Sequence, residues 1–234
     1  MLWVDSNKKE GHIEGRGMSE EVGKIERPSI EEFSAGRKLY FVPLIFTPKR
    51  SQADLLERVN RYWDQVETHV ANLEAKLGDI NKLYHEMVPV GGDDGAKAVK
   101  ELNKGSYQII KARLKKGSDL QPLEDSEILA EFMDWGRCLA IGLQSQNVIV
   151  RAYESYSEAQ RKRNDYIAKQ IDETLQDGEI GLLLMMEGHQ VQFPSDVQVF
   201  YVAPPGLDEV KRWIRDREAE NESGIKKQSK SKVK

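Results

Sequence analysis

A single cysteine, Cys138, is all the thiol chemistry this 234-residue chain carries. An intrachain disulfide is therefore excluded, and a reducing compartment, the cytoplasm, is the expected location. No apolar run approaches the ~18–20 residues that span a bilayer, and no secretory signal pattern is present, so no transmembrane segment is expected. Only eight prolines and eighteen glycines are scattered through the chain, which excludes collagen-like and low-complexity classes. What remains is 39% hydrophobic and 32% charged residues. That composition and length suit one ordinary domain with a sizeable core.

The two ends differ from the middle. Ile13-Glu14-Gly15-Arg16 is the recognition sequence of a processing protease of the kind built into expression vectors, so residues 1–17 are expected to be an appended leader. Residues 224–234 hold five lysines, no acid and almost nothing apolar, the composition of a disordered basic tail. Between them, residues 18–223 carry 27 basic and 36 acidic side chains, a net of −9. An acidic body is a poor nucleic-acid platform, and no DNA partner is expected.

The middle alternates strands and helices. Residues 38–46, 82–90, 180–186 and 197–203 are short apolar runs with strand composition. Pro43 lies inside the first and lacks a ladder donor, which suggests an edge strand or a bulge. Helical spacing of apolar residues runs over 52–77, 96–116, 124–143, 148–176 and 206–220. In the first of these, Leu55, Val59, Tyr62, Val66, His69, Leu73 and Leu77 define the inward face. The pattern predicts a single α/β domain over 18–223, with a mainly parallel sheet of four or slightly more strands flanked by helices and a helical insertion at about 96–147.

Open parallel sheets bind ligands beyond the carboxyl ends of their strands. Two such places carry chemistry here: His85-Glu86 in the second strand, and Glu187-Gly188-His189 after the third. Imidazole and carboxylate are the ligand types that hold a divalent ion such as zinc or manganese, although no fixed-spacing motif joins the two pairs. Gly91, Gly92 and Gly95 form a glycine-rich loop, but Asp93 and Asp94 would repel phosphate and no lysine-serine pair follows. Cys138 and His69 read as packed core groups.

Residues 157–191 carry a more specific pattern: a helix with Glu158, Arg161 and Arg163, then Ile167-Ala168, then an apolar strand followed by Gly188-His189. This resembles the C-terminal signature of the TraB/TIKI and erythromycin-esterase-like superfamily, with Glu86 similar to the acidic residue that ends the family's second strand. The first strand departs from the family, because Pro43-Leu44-Ile45-Phe46 stands where a glycine-x-x-histidine is expected. The resemblance implies metal-assisted hydrolysis of an ester, amide or peptide bond. His189, Glu187, Glu86 and His85 would hold the ion, and Glu158, Arg161 and Arg163 would act on the substrate. Two other functions fit the same residues. One is a non-catalytic sensor of a small molecule or peptide in the same pocket. The other is an interaction or scaffold protein that forms a homo-oligomer through its long helices.

Overall fold

The computed structural model describes residues 36–48 and 51–231, so the expected leader at 1–17 lies outside the described residues. The chain runs β1 (Arg37–Pro43), α1 (Ala53–Leu77), β2 (Lys82–His85), α2 (Gly92–Leu102), α3 (Lys104–Leu114) and β3 (Asp119–Leu120). It continues through α4 (Ser126–Ala140), α5 (Gln146–Thr174), β4 (Ile180–Met185), β5 (Val197–Tyr201) and α6 (Pro205–Ser231). Five strands form one all-parallel sheet in the order β3-β2-β4-β1-β5.

Period-two alternation gives β1, β2 and β4 two apolar faces, and helices cover both, whereas the edge strand β5 leaves Val199 and Tyr201 exposed on one face. Tyr40, Val42, Leu83, Leu182 and Leu184 pack with Val59, Tyr62 and Val66 of α1, Ile109 and Ile110 of α3, and Leu207 and Val210 of α6. Leu39, Phe41, Tyr84, Leu183 and Met185 pack with Ile167 and Ile171 of α5. The chain moves toward β3 over the first face and returns through β4 to β5 over the second. One handedness of crossover requires that change of face.

Pro43 sits in a central strand, at its last residue, and not at an edge. Lys38 and Leu44 donate to β4 through Glu179 O and Met185 O. Residue 43, of opposite parity, faces β5, whose pairing ends at Phe41↔Tyr201. The missing N–H therefore falls where no ladder partner exists.

The expected insertion at 96–147 belongs to two crossovers, α2–α3 between β2 and β3 and α4–α5 between β3 and β4. β3 splits it, but a strand of two residues is too short for any periodicity to reveal. Asn103 also divides the helix expected over 96–116, because its side chain accepts from Gly105 N and Ser106 N at 3.1 Å each and starts α3 afresh. Residues 91–95 open α2 and do not form a loop. A Cβ on Gly95 would lie 2.4 Å from Val90 O, and one on Gly91 2.6 Å from Leu120 O, so these glycines allow close packing on β3. Asp93 and Asp94 stand in the first turn of α2, where negative charge complements the helix dipole.

On α1 the inward face turns from Val66 to Val70 and Glu74, which leaves His69 exposed. A strict seven-residue repeat drifts by ~20° per heptad on a straight helix, and His69 lies on the drifted side. Buried Glu74 accepts from Arg113 Nη2 at 2.9 Å, and Arg113 also bonds Glu67, which locks α3 to α1. The backbone of α6 continues as helix to Ser231, through much of the segment expected to be a disordered tail. Lysine and glutamine are good helix formers, and positive charge suits a helix C-terminus.

Gly105 lies against the Trp63 ring, which a Cβ would approach to 2.2 Å. Gly105→Ala should lower stability by about 1–3 kcal/mol in urea unfolding, although alanine is the better helix former. An unchanged or raised midpoint would contradict this packing.

Candidate functional site

The ends of β2, β3 and β4 converge on Arg163 of α5. β2 ends in a tight turn where Met87 adopts φ 68°, a left-handed conformation that costs a non-glycine residue ~1 kcal/mol or more. That turn aims the Glu86 carboxylate across the end of β4. Glu86 Oε2 accepts from Met186 N at 2.7 Å, and Oε1 accepts from Arg163 Nη2 at 2.9 Å. Glu124, four residues beyond β3, accepts from Met87 N at 3.0 Å and from Arg163 Nε at 2.9 Å. It receives Arg163 Nη2 as well.

All three side chains are at most 5% exposed. Two carboxylates and one guanidinium leave a formal charge of −1, which the two backbone N–H donors offset. Burial alone would lower the Arg163 pKa, but its bonds to Glu124 and Glu86 outweigh that and raise it. The Phe132 ring of α4 closes the cluster, with the guanidinium carbon 4.9 Å from its centroid. The crevice where an open α/β sheet would hold a ligand is thus filled by a paired, hydrogen-bonded ionic plug.

His85 is fully buried beside the plug. Its Nδ1 meets Glu86 O at 2.6 Å and its Nε2 meets Ser106 Oγ at 2.9 Å. Desolvation pushes its pKa down to about 4. Both ring nitrogens meet protein partners, so a metal at His85 would have to displace Ser106 or Glu86 O from the ring.

The other expected ligands lie apart from these. His189, half-buried, accepts from Val191 N at 3.2 Å through Nδ1 and packs 4.9 Å from Phe41 and 5.5 Å from Phe193 between ring centroids. Burial lowers its pKa, with a small opposing effect from Glu86. Burial pushes the Glu187 pKa up, but bonds from Lys211 Nζ at 2.5 Å and from Tyr201 OH outweigh it and hold it below the usual value. Among the described residues, no group of three or more histidine, cysteine, aspartate or glutamate side chains is placed to hold a metal ion.

Of the three residues expected to act on substrate, only Arg163 faces the crevice. Arg161 is exposed, as two residues along a helix turn a side chain by ~200°. Glu158 is exposed too, paired with Lys162 at 3.2 Å. Glu124 is the group that the sequence reading missed. Its signal, a carboxylate just beyond a strand end, was hidden because β3 itself was not legible.

The clefts of about 400 and 530 Å³ lie along the other side of the molecule, between α1 and the α2–α3 junction, where Trp63, Lys104 and Gly105 line both. Neither Arg163 nor His189 lines them. No protein-family model, curated protein or solved structure matches this chain.

The most unusual surface is on the second face. α4 contains Ile128, Leu129, Phe132, Met133, Trp135 and Leu139, yet none of its residues is buried. It packs chiefly on α5, where Phe132 stacks on Tyr156 at 5.0 Å between centroids. Between Gln146 and Gln160 only Ala152 and Ala159 of α5 are buried, and neither core cluster takes a side chain from α4 or from that half of α5. The two form a helical arm standing off the sheet. Its tip exposes Ile141 at 73% and Tyr153 at 62%, with Val148 and Val150 beside them.

Arg163→Met should cost about 3–5 kcal/mol in chemical unfolding, because it strands two buried carboxylates. Adding Glu86→Gln and Glu124→Gln should restore most of that loss. A loss below ~1 kcal/mol for the single change would mean the plug is not desolvated.

His85 makes stability depend on pH. Its folded pKa of about 4 lies below the ordinary 6.5, so between those values the unfolded chain binds more protons. Its contribution is complete above pH ~6.5 and is lost as pH falls toward ~4, by up to about 3 kcal/mol. His85→Gln should flatten the stability profile across that window. An equally steep profile would assign the acid sensitivity to other groups.

Proposed function

We propose that this chain is a protein-association module: an α/β body that holds out the α4–α5 arm as its docking element. The observation that carries this reading is the tip of the arm, where Ile141, Val148, Val150 and Tyr153 are exposed together, while the apolar side chains of α4 are half-covered by α5. Exposed apolar side chains gathered on a projecting element are the mark of a partner site. The body gives the arm a rigid base. Arg163 ties α5 to three strand ends and touches Phe132 at the foot of α4.

The engaged state of the rim supports the same reading. Metal-assisted hydrolysis by His189, Glu187, Glu86 and His85 would require these groups to leave their present partners and come together. One observation favours a second reading, the sensing of a small molecule. His189 remains half-exposed at the rim, beside the exposed ring of Tyr201 and close enough for Glu86 to act on its charge.

A photo-crosslinking residue placed at Ile141 in cells expressing the chain should form protein adducts that disappear with Val148→Lys and Val150→Lys. The same residue at Lys97, exposed on α2, should form none. Equal labelling at both positions, or none at Ile141, would overturn the association reading. Elemental analysis checks the alternative: the purified chain should hold no stoichiometric metal, and His189→Ala should not change the content. One ion per chain, lost in that variant, would return the weight to metal-assisted chemistry.

A further inference from the structure

We infer that residues 28–35, which precede β1 and lie outside the described residues, dock in a groove between the C-terminal half of α1 and the first face of β5. The groove exists because of the direction in which α6 leaves β5. Gly206 N meets Gln65 Oε1 at 2.8 Å, and Arg217 Nη2 meets Gln52 Oε1 at 2.9 Å. The helix therefore climbs antiparallel to α1 toward the carboxyl end of the sheet and does not return along β5. Among the described residues no helix takes its place, and the principal neighbour of β5 is β1. What remains is a cleft of about 270 Å³, lined by His69, Asn72, Leu73 and Lys76 of α1 and by Tyr201 and Val202. This inference does not depend on the reading of the arm.

Two orphaned atoms mark the same place. Tyr40 Oη and Gln198 Oε1, on paired strands and on the same face, are buried without a hydrogen-bond partner. Buried polar atoms are nearly always paired, so each calls for a partner that the described residues do not supply. The cleft is also basic, with His69 and Lys76 and no acidic side chain among its described lining. On the other face of these strands the cation is already satisfied, because Asp172 and Asp196 hold Arg37 at 2.8 and 2.7 Å. An acidic segment would be repelled there and attracted to the first face.

The occupant follows from where the described chain begins and from what precedes it. Gly36 opens beside the groove: its φ is 80°, and a Cβ there would lie 4.0 Å from Gln198 Nε2. A glycine with positive φ is the common stop of a helix. Upstream, Ser29 and Glu32 have the spacing of a capping box. Ile30 and Phe33, three apart, would share one side of the turn between these signals. Glu31 and Glu32 are the charges of the segment, opposite in sign to Lys76. Ser34, two residues before Gly36, brings a hydroxyl to the neighbourhood of Gln198. A helical turn of six residues spans ~9 Å and the five residues of β5 span ~16 Å, so the segment fits the groove. Attachment at Gly36 makes the docking intramolecular, which raises its effective concentration without any added contact.

A benzophenone side chain in place of Phe33 in the full chain tests this. Irradiation should give adducts within the chain, located by peptide mass spectrometry in residues 66–76 and 198–202. Lys76→Glu should lower their yield, and adding Glu31→Lys and Glu32→Lys should restore it, which a general loosening of the fold would not do. In the chain without the probe, Ile30→Asp should speed amide exchange in β5 and leave β2 unchanged. Adducts mapped to α4 and α5, or no adduct within the chain, would overturn the docking. Isotopically heavy and light chains irradiated together should give adducts within heavy or within light chains alone. Mixed heavy–light adducts would overturn docking within the chain and make the occupant a segment of another copy.

Discussion

Arg163 between Glu86 and Glu124 is the constraint on which the rest of the second face depends. One guanidinium ties the ends of β2, β3 and β4 to the middle of α5. The arrangement is costly to desolvate and costly to break, because removing Arg163 leaves two uncompensated carboxylates inside the molecule and removing either carboxylate strands a buried backbone N–H. Replacing a buried pair by well-packed apolar side chains is often neutral for stability, whereas removing one partner is not. Here the arrangement fixed is the angle at which α5 leaves the sheet. Everything N-terminal to Arg163 on that helix, and α4 with it, is positioned by this joint.

The fold was legible where periodicity was long enough to count. The four longer strands and the long helices followed from apolar composition and spacing, because β1, β2 and β4 are buried on both faces, and β5 and most of the helices on one. The rest was hidden for identifiable reasons. Asp119–Leu120 is a strand only because β2 lies beside it, and two residues contain no period. Asn103 interrupts a helix by a side-chain cap that spacing alone does not reveal. His69 and Val70 differ by one helical step, within the drift of a heptad count.

The site was half legible. Residue type and topology pointed to Glu86, His85, Glu187 and His189 at the carboxyl rim and to Arg163 on the preceding helix, and those residues lie there. Their partners depended on non-local contacts. Glu86 is claimed by Arg163 77 positions away, and His85 by Ser106 from the α3 N-terminus. Glu187 is claimed by Lys211 of α6. A carboxylate beside an imidazole in sequence suggests metal binding, but in three dimensions each has been satisfied by a different neighbour. The apolar stripe on α4 was also visible, and it was read as core. Only the structure shows that a single helix, α5, covers it, so that its side chains are half-buried and none is fully buried.

Rim and arm meet at Arg163, whose guanidinium holds the strand ends on one side and the Phe132 ring on the other. The most direct measurement is amide hydrogen exchange on the full chain and on Arg163→Met. Amides of α4 and of residues 146–160 should exchange faster in the variant than in the parent, by more than those of β1 and of α1. Arm amides that exchange alike in both chains would contradict the account, since the arm would then be positioned without Arg163.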